Sequence, residues 1–117
     1  MKENIVLEKS FTFSLSIIEL YKALQAEKEF VISKQLLRSA TSIGANANEA
    51  SAAQTKKDFI AKMAISSKEA RETHYWLRLL QKSQLVPLDY NDYILQIEEL
   101  IRIITAIVKT SQNNLKR

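Results

Sequence analysis

The sequence predicts an all-α protein, an antiparallel four-helix bundle whose helices run alternately up and down. Two observations on composition favour this class: Gly and Pro occur once each, and β-branched valine is scarce. The third is that four long segments carry apolar residues at spacings of three and four, separated by short connections. Because short connections make neighbouring helices antiparallel, the up-down-up-down bundle is the simplest packing, with residues 1–117 as a single domain.

Each predicted helix has a recognisable start or stop signal. Ser33 and Asp89 are predicted to cap the second and fourth helices, and Thr55 with Asp58 resembles a capping box at the start of the third. Pro87 marks the last loop, because it lacks a backbone N–H and restrains the residue before it. The predicted helices cover about residues 4–28, 33–53, 55–83 and 89–112.

Helix two is the predicted centre of the bundle, because nearly every side chain from Ser39 to Ala53 is small. Small side chains allow neighbouring helices to approach closely. Gly44 in mid-helix costs about 0.5–1 kcal/mol relative to Ala. Either a neighbouring backbone crosses there or the helix kinks, and we favour the close crossing.

Helices one and four carry more apolar surface than one bundle core needs. Phe11 stands beside Phe13, and residues 103–108 are nearly all apolar. Surplus apolar surface of this kind is typical of an interface. The sequence therefore predicts a homo-oligomer.

The excess positive charge lies in the third helix. The net charge is +4, and residues 55–84 carry seven basic and three acidic groups. At about 100° per residue, six of these cations and one tyrosine fall within an arc of roughly 120°, a surface that we name the basic stripe. Such a surface is suited to a phosphate backbone, and the alternative is a solvated face that only keeps the protein soluble. The candidate nucleic-acid-binding residues are Lys56, Lys57, Lys68, Arg71, Tyr75, Arg78 and Lys82.

A second group of polar residues is predicted where helices two and three face each other. Arg38 with Glu72, and Asn46 with Glu69, are the expected pairs, and a two-pronged Arg–carboxylate contact would fix the helix register. The alternative is that these side chains face solvent. The candidate network residues are Arg38, Ser42, Asn46, Glu49, Glu69 and Glu72.

The composition argues against an enzyme. There is no Cys for a thiolate metal site, and His74 is the only histidine, so neither a zinc site nor a di-iron bundle is supported. Gly44 is alone, so there is no Gly-rich phosphate loop. We expect no cofactor, no metal and no small-molecule substrate. Charges near the N-terminus interrupt any signal-peptide core, and no apolar run approaches about 18 residues, so a cytoplasmic protein without a membrane span is expected.

Helices two and three together resemble a known bacterial family of four-helix-bundle proteins. These ribosomal-protein-like proteins are encoded in intervening sequences of the 23S ribosomal RNA gene. The matching segments are Gln35-Leu36-Leu37-Arg38-Ser39-Ala40-Thr41-Ser42-Ile43, Gly44-Ala45-Asn46, Glu49-Ala50, Asp58-Phe59, Lys62-Met63, Lys68-Glu69-Ala70, Glu72-Thr73 and Trp76-Leu77.

The resemblance implies a homopentamer without catalytic residues. A relative in the same broad family, the accessory protein of diversity-generating retroelements, is also a basic pentameric bundle and is associated with nucleic acid. The predicted function is therefore a non-enzymatic homo-oligomeric protein that binds RNA or a ribonucleoprotein through the basic stripe. The alternatives are a structural or protein-interaction scaffold, or a retroelement accessory protein.

Overall fold

A computed structural model describes residues 2–116, with side chains described from residue 5 onward. Within that range, each helix packs against the next in the chain, α4 also packs against α1, and the two diagonal pairs do not approach each other. The predicted all-α four-helix bundle is confirmed, with overall dimensions of 51 × 21 × 21 Å. The helices are α1 (Lys2–Ala26), α2 (Ile32–Ser51), α3 (Lys56–Ser83) and α4 (Asn91–Leu115).

The core is formed by one apolar stripe from each helix. On α3 the buried positions follow the predicted helical periodicity, from Met63 through Ala70 to Leu80. The stripes of α1 and α4 are bulkier, and that of α2 is mostly small, so α2 lies close to both of its neighbours. No helix between residues 2 and 116 is long and apolar enough to cross a membrane.

Gly44 marks the close crossing of α1 and α2. A Cβ atom built on Gly44 would lie 3.2 Å from Ser10 Oγ and 3.5 Å from Ser10 Cβ. Because α2 continues through this position without a break, the glycine serves the approach of α1 and not a kink. The favoured interpretation of Gly44 is confirmed.

The start of α2 differs from the prediction. Ser33 lies inside the helix and does not cap it, because Lys28 adopts a left-handed conformation (φ 62°) and the chain turns so that Glu29 reaches the helix start. The Glu29 carboxylate accepts hydrogen bonds from the backbone N–H groups of Val31, Ile32 and Ser33 at 3.0, 3.0 and 2.6 Å. The predicted Ser33 cap is therefore wrong, and the carboxylate of Glu29, four residues earlier, accepts from the free N–H groups at the helix start instead.

The other two predicted caps fare differently. Thr55 caps α3 as expected, with its side chain accepting from the backbone N–H of Asp58 at 3.1 Å. α4 begins at Asn91, one residue later than a cap at Asp89 predicts, and Tyr90 stands directly before it. The Asp89 carboxylate nevertheless accepts from the backbone N–H of Asn91 at 3.0 Å, so its predicted role at the start of the helix is confirmed. Tyr90 is fully buried, and its hydroxyl donates to the carbonyl oxygen of Val86 at 2.8 Å.

Candidate nucleic-acid interface

All seven residues of the basic stripe are exposed on the side of α3 that faces away from the core. Their shared face follows from helical geometry, because they are separated from the buried stripe by roughly half a turn. Tyr75 lies among the cations and is 58% exposed. The structure thus places the predicted stripe residues on one continuous surface.

The cations of the basic stripe form no ion pair in the part of the chain whose side chains are described. Four other basic side chains form ion pairs: Lys9 with Glu99, Lys22 with Glu19, Lys62 with Glu49, and Arg38 with two glutamates. None of the six stripe cations pairs with a carboxylate among the side chains from residue 5 to residue 116. The positive charge of this surface is therefore not neutralised locally.

The positive surface extends onto α4, which the sequence analysis missed. Arg71 Nη2 donates to Thr105 Oγ1 at 3.4 Å, so this turn of α4 adjoins the stripe. Arg102 and Lys109 lie three residues before and four residues after Thr105, on the same side of the helix, and both are exposed. Residues 85–117 carry four basic and four acidic groups, so the net charge gives no sign of this surface, and only the spacing relative to Thr105 would have revealed it.

A shallow groove adjoins the stripe near the start of α3. It has a volume of about 430 Å³ and lies between α3 and the end of α4, with Lys57 and Lys116 on its walls and Ile60 and Leu115 among its apolar lining. The two lysines extend the positive surface to the end of α4.

His74 lies at the edge of the stripe and contacts α4. Its Nε2 atom is 3.2 Å from Glu98 Oε2, and both side chains are partly buried. In the part of the chain that the structure describes, no group of three or more His, Asp or Glu side chains is arranged to hold a metal ion.

A second cluster, which we name the Arg38 network, joins α2 to α3 and consists of Arg38, Glu69, Glu72 and Trp76. Arg38 Nη1 donates to Glu69 Oε2 at 3.0 Å, and Nη2 donates to Glu72 Oε2. Trp76 Nε1 donates to the same Glu72 oxygen at 3.0 Å. The predicted pairing of Arg38 with Glu72 is confirmed, and Trp76 is an additional member that the sequence analysis did not include.

The predicted pairing of Asn46 with Glu69 is wrong. The Asn46 amide donates to the carbonyl oxygen of Ser42 at 2.8 Å, within its own helix. The short side chain of Asn46 reaches the carbonyl group one turn earlier in its own helix more easily than it reaches a carboxylate on α3. In addition, the Arg38 guanidinium already donates to both glutamates. Ser42 likewise donates to the backbone of Arg38 at 2.7 Å, and Glu49 pairs with Lys62 at 2.8 Å, away from the Arg38 network.

The Arg38 network is half-buried and electrostatically matched. Glu69 is the most enclosed member, with a side chain 14% exposed, whereas the Arg38 side chain is 49% exposed. Hydrogen bonds from Arg38 and then from Trp76 lower the pKa of Glu72, and the two carboxylates raise the pKa of Arg38. Arg38 and Glu72 therefore stay ionised at neutral pH, and the contacts of Arg38 with both glutamates join α2 to α3.

The aromatic rings of Trp76 and Tyr75 connect the Arg38 network to the basic stripe. The two ring centroids are 5.1 Å apart, and the rings meet edge to face at 73°. Trp76 is anchored on the network side, and Tyr75 projects on the stripe side. The two candidate sites are thus parts of one continuous face of α3.

Comparisons with known proteins agree with this architecture. The family described as 23S rRNA-intervening sequence protein matches residues 2–106 of the chain. A crystal structure at 1.70 Å of a protein with unknown function from the S23 ribosomal protein family of Bacteroides thetaiotaomicron VPI-5482 superimposes with a TM-score of 0.87. The two sequences are 45% identical, and the match covers 93% of this chain and 99% of the other. No curated protein matches significantly. The chain belongs to the family of 23S rRNA-intervening sequence proteins.

Proposed function

We propose that this protein is a non-enzymatic, homo-oligomeric binding protein that binds RNA or a ribonucleoprotein through the basic stripe. The observation that carries the proposal is the row of six cations along α3, with the exposed ring of Tyr75 among them; none of the six forms an ion pair with a carboxylate between residues 5 and 116. Such cations can take up phosphates without first breaking an ion pair, and the release of counterions from the RNA then drives binding.

The test removes charge from the middle of the stripe. Replacing Lys68, Arg71 and Arg78 together with Gln keeps helix propensity and side-chain length, so folding should change little. Each lost phosphate contact should flatten the slope of log affinity against log salt concentration by about 0.7–0.9, so the loss of three contacts in the triple variant should flatten it by about 2–3. Titration of labelled RNA at several salt concentrations measures both affinity and slope.

The matched control removes the same charge elsewhere. Lys22, Lys28 and Lys34 are exposed on α1, its following turn and α2, away from the basic stripe. Their replacement with Gln should leave the salt slope nearly unchanged. Equal slopes for wild type and the stripe variant would overturn the proposal.

Homo-oligomer formation is supported by the outer face of α1. Phe11 and Leu15, four residues apart and therefore on the same face, are 63% and 51% exposed. Large apolar side chains that are adjacent and exposed usually lie in an interface. A pentamer is the number that the family resemblance implies.

A structural or protein-interaction scaffold is the second candidate. It is favoured by this same apolar face and by the Arg38 network, which makes α2 and α3 a rigid pair. A scaffold whose cations only confer solubility would show no steep loss of RNA affinity with salt. The salt titration therefore distinguishes the two functions.

A further inference from the structure

The exposed ring of Tyr75 indicates a more specific ligand, an inference that rests on the proposed function. We infer that Tyr75 is a stacking platform for an unpaired base, so that the basic stripe binds single-stranded RNA in preference to duplex RNA. The Arg38 network has a role in this inference, because it positions the platform.

Tyr75 lies where a base and its phosphates can be held together. Arg71 precedes it by four residues and Arg78 follows it by three, so both cations flank the ring on the same face of α3. A base stacked on the 58%-exposed ring would leave its backbone phosphates near these two guanidinium groups. The arrangement combines the two elements that single-strand sites use, an aromatic platform and a cationic track.

The ring of Tyr75 is held in place before any ligand arrives. Its edge-to-face contact with Trp76, at 5.1 Å and 73°, limits its orientation. Trp76 is in turn fixed by its hydrogen bond to Glu72, which Arg38 holds from α2. A platform that is already oriented loses less side-chain freedom on binding. Trp76 and Glu72 are therefore positioning residues for Tyr75.

A duplex cannot use this platform. In an A-form duplex the bases are paired and stacked on one another, and its surface presents phosphates, 2′-hydroxyls and base edges. A ring that projects from the convex surface of a helix can contact a duplex but cannot stack on a paired base. Duplex RNA would thus meet only the cations, and the contribution of Tyr75 would be confined to single strands.

The experiment compares two probes and two substitutions. The probes are an oligouridine of about 12 nucleotides and a duplex RNA of the same length. Tyr75→Ala should weaken oligouridine binding about 5- to 100-fold and leave duplex binding within about twofold. Tyr75→Phe, which keeps the ring, should bind both probes nearly as wild type does. Because no charge is lost, the salt slope should stay unchanged in both variants.

Three further measurements separate positioning from general damage. Phe30→Ala removes an equally exposed ring (57%) in the connection between α1 and α2, and should change neither affinity. Trp76 is the only tryptophan, and its fluorescence should be quenched by oligouridine in wild type but not in Tyr75→Ala. Trp76→Phe, which removes the hydrogen bond to Glu72 without a change of charge, should weaken oligouridine binding and leave duplex binding unchanged.

The outcomes distinguish this inference from the proposed function. Equal losses for the two probes in Tyr75→Ala, or no loss for oligouridine, would overturn the stacking platform while salt-dependent RNA binding stands. Failure of wild type to bind either probe at low salt would overturn both.

Discussion

At the scale of single residues, Glu29 has the most consequential environment. It is nearly buried in the turn between α1 and α2, and three backbone N–H groups donate to its carboxylate. Burial alone would raise the pKa of Glu29, but the hydrogen bonds from Ile32, Ser33 and Val31 outweigh it and lower the pKa below the ordinary value of 4.5. The charged form is thus favoured by folding.

This environment makes stability depend on pH through Glu29. Because the pKa is lowered in the folded state, the carboxylate stabilises the protein above about pH 4.5, and this contribution is lost as the pH falls further. Glu29→Gln should lower the free energy of unfolding by about 1–3 kcal/mol at neutral pH, with a difference from wild type that shrinks in acid. Urea unfolding across this pH range measures it, with exposed Glu27→Gln as the control. A difference that is independent of pH would contradict the expectation.

Individual side-chain contacts were predictable only in part. Helical spacing placed Arg38 on one helix and Glu72 on the next along facing sides, and a long two-pronged side chain spans such a gap. The same reasoning failed for Asn46, whose short amide is satisfied by its own helix. Periodicity determines which face a side chain occupies, but it does not say which of several acceptors within reach is used. Trp76 was missed for that reason.

At the scale of the helices, the crossing at Gly44 shows how the size of one residue limits the approach of α1 to α2. Ser10 Oγ is the atom that a methyl group at residue 44 would meet first, at 3.2 Å, and Ser10 Cβ follows at an ordinary 3.5 Å. The helical preference for Ala over Gly, about 0.5–1 kcal/mol, opposes this contact. Whether Gly44→Ala stabilises therefore depends on the Ser10 hydroxyl.

A double-mutant cycle tests this coupling. In the Ser10→Ala background, Gly44→Ala should raise the free energy of unfolding by about 0.5–1 kcal/mol, because the obstructing oxygen is gone. In wild type the same change should gain less or destabilise, because Ser10 must move. Denaturant unfolding of the four proteins gives the coupling energy. The same gain in both backgrounds would mean that α1 does not limit the size of residue 44.

Helix ends were harder to predict than helix faces. Thr55 caps α3 as its sequence pattern indicates, since the donor is only three residues away along the chain. The start of α2 instead depends on the left-handed backbone conformation of Lys28. This conformation is uncommon for lysine, so the sequence does not predict it. At the start of α4, Asp89 accepts from the N–H of Asn91, a contact between residues two apart that the sequence pattern indicates.

At the scale of the whole molecule, the four-helix fold could be predicted from composition and periodicity. Which apolar faces remain exposed in that fold could not. Both α1 and α4 were expected to keep surplus apolar faces. In the structure Ile103 and Val108 pack against the core, so this part of α4 is largely absorbed. Phe11 and Leu15 of α1 stay exposed. The sequence could not distinguish the two helices, because it does not say how each is rotated toward the core.

The exposed face of α1 gives a prediction about assembly. Phe11→Glu with Leu15→Glu should lower the mass measured by light scattering at micromolar concentration, because two charges would be buried in the interface. Leu95→Glu is the matched control, since Leu95 is as exposed as Phe11 but lies on α4. We expect it to leave the mass unchanged. A wild-type mass equal to one chain would contradict the proposed oligomer.

The unequal packing around the bundle has a consequence for the order in which it forms. The α2–α3 interface is the most extensive and joins helices that are adjacent in the chain, whereas α1 and α4 share the smallest interface and lie at opposite ends of it. Closing the α1–α4 interface costs the most chain entropy and adds the fewest contacts, so we expect this interface to form last and to open first. Opening along it would separate α1 from α4 and leave the more extensive α2–α3 interface in place. The basic stripe is thus carried by the helix pair that we expect to stay together longest.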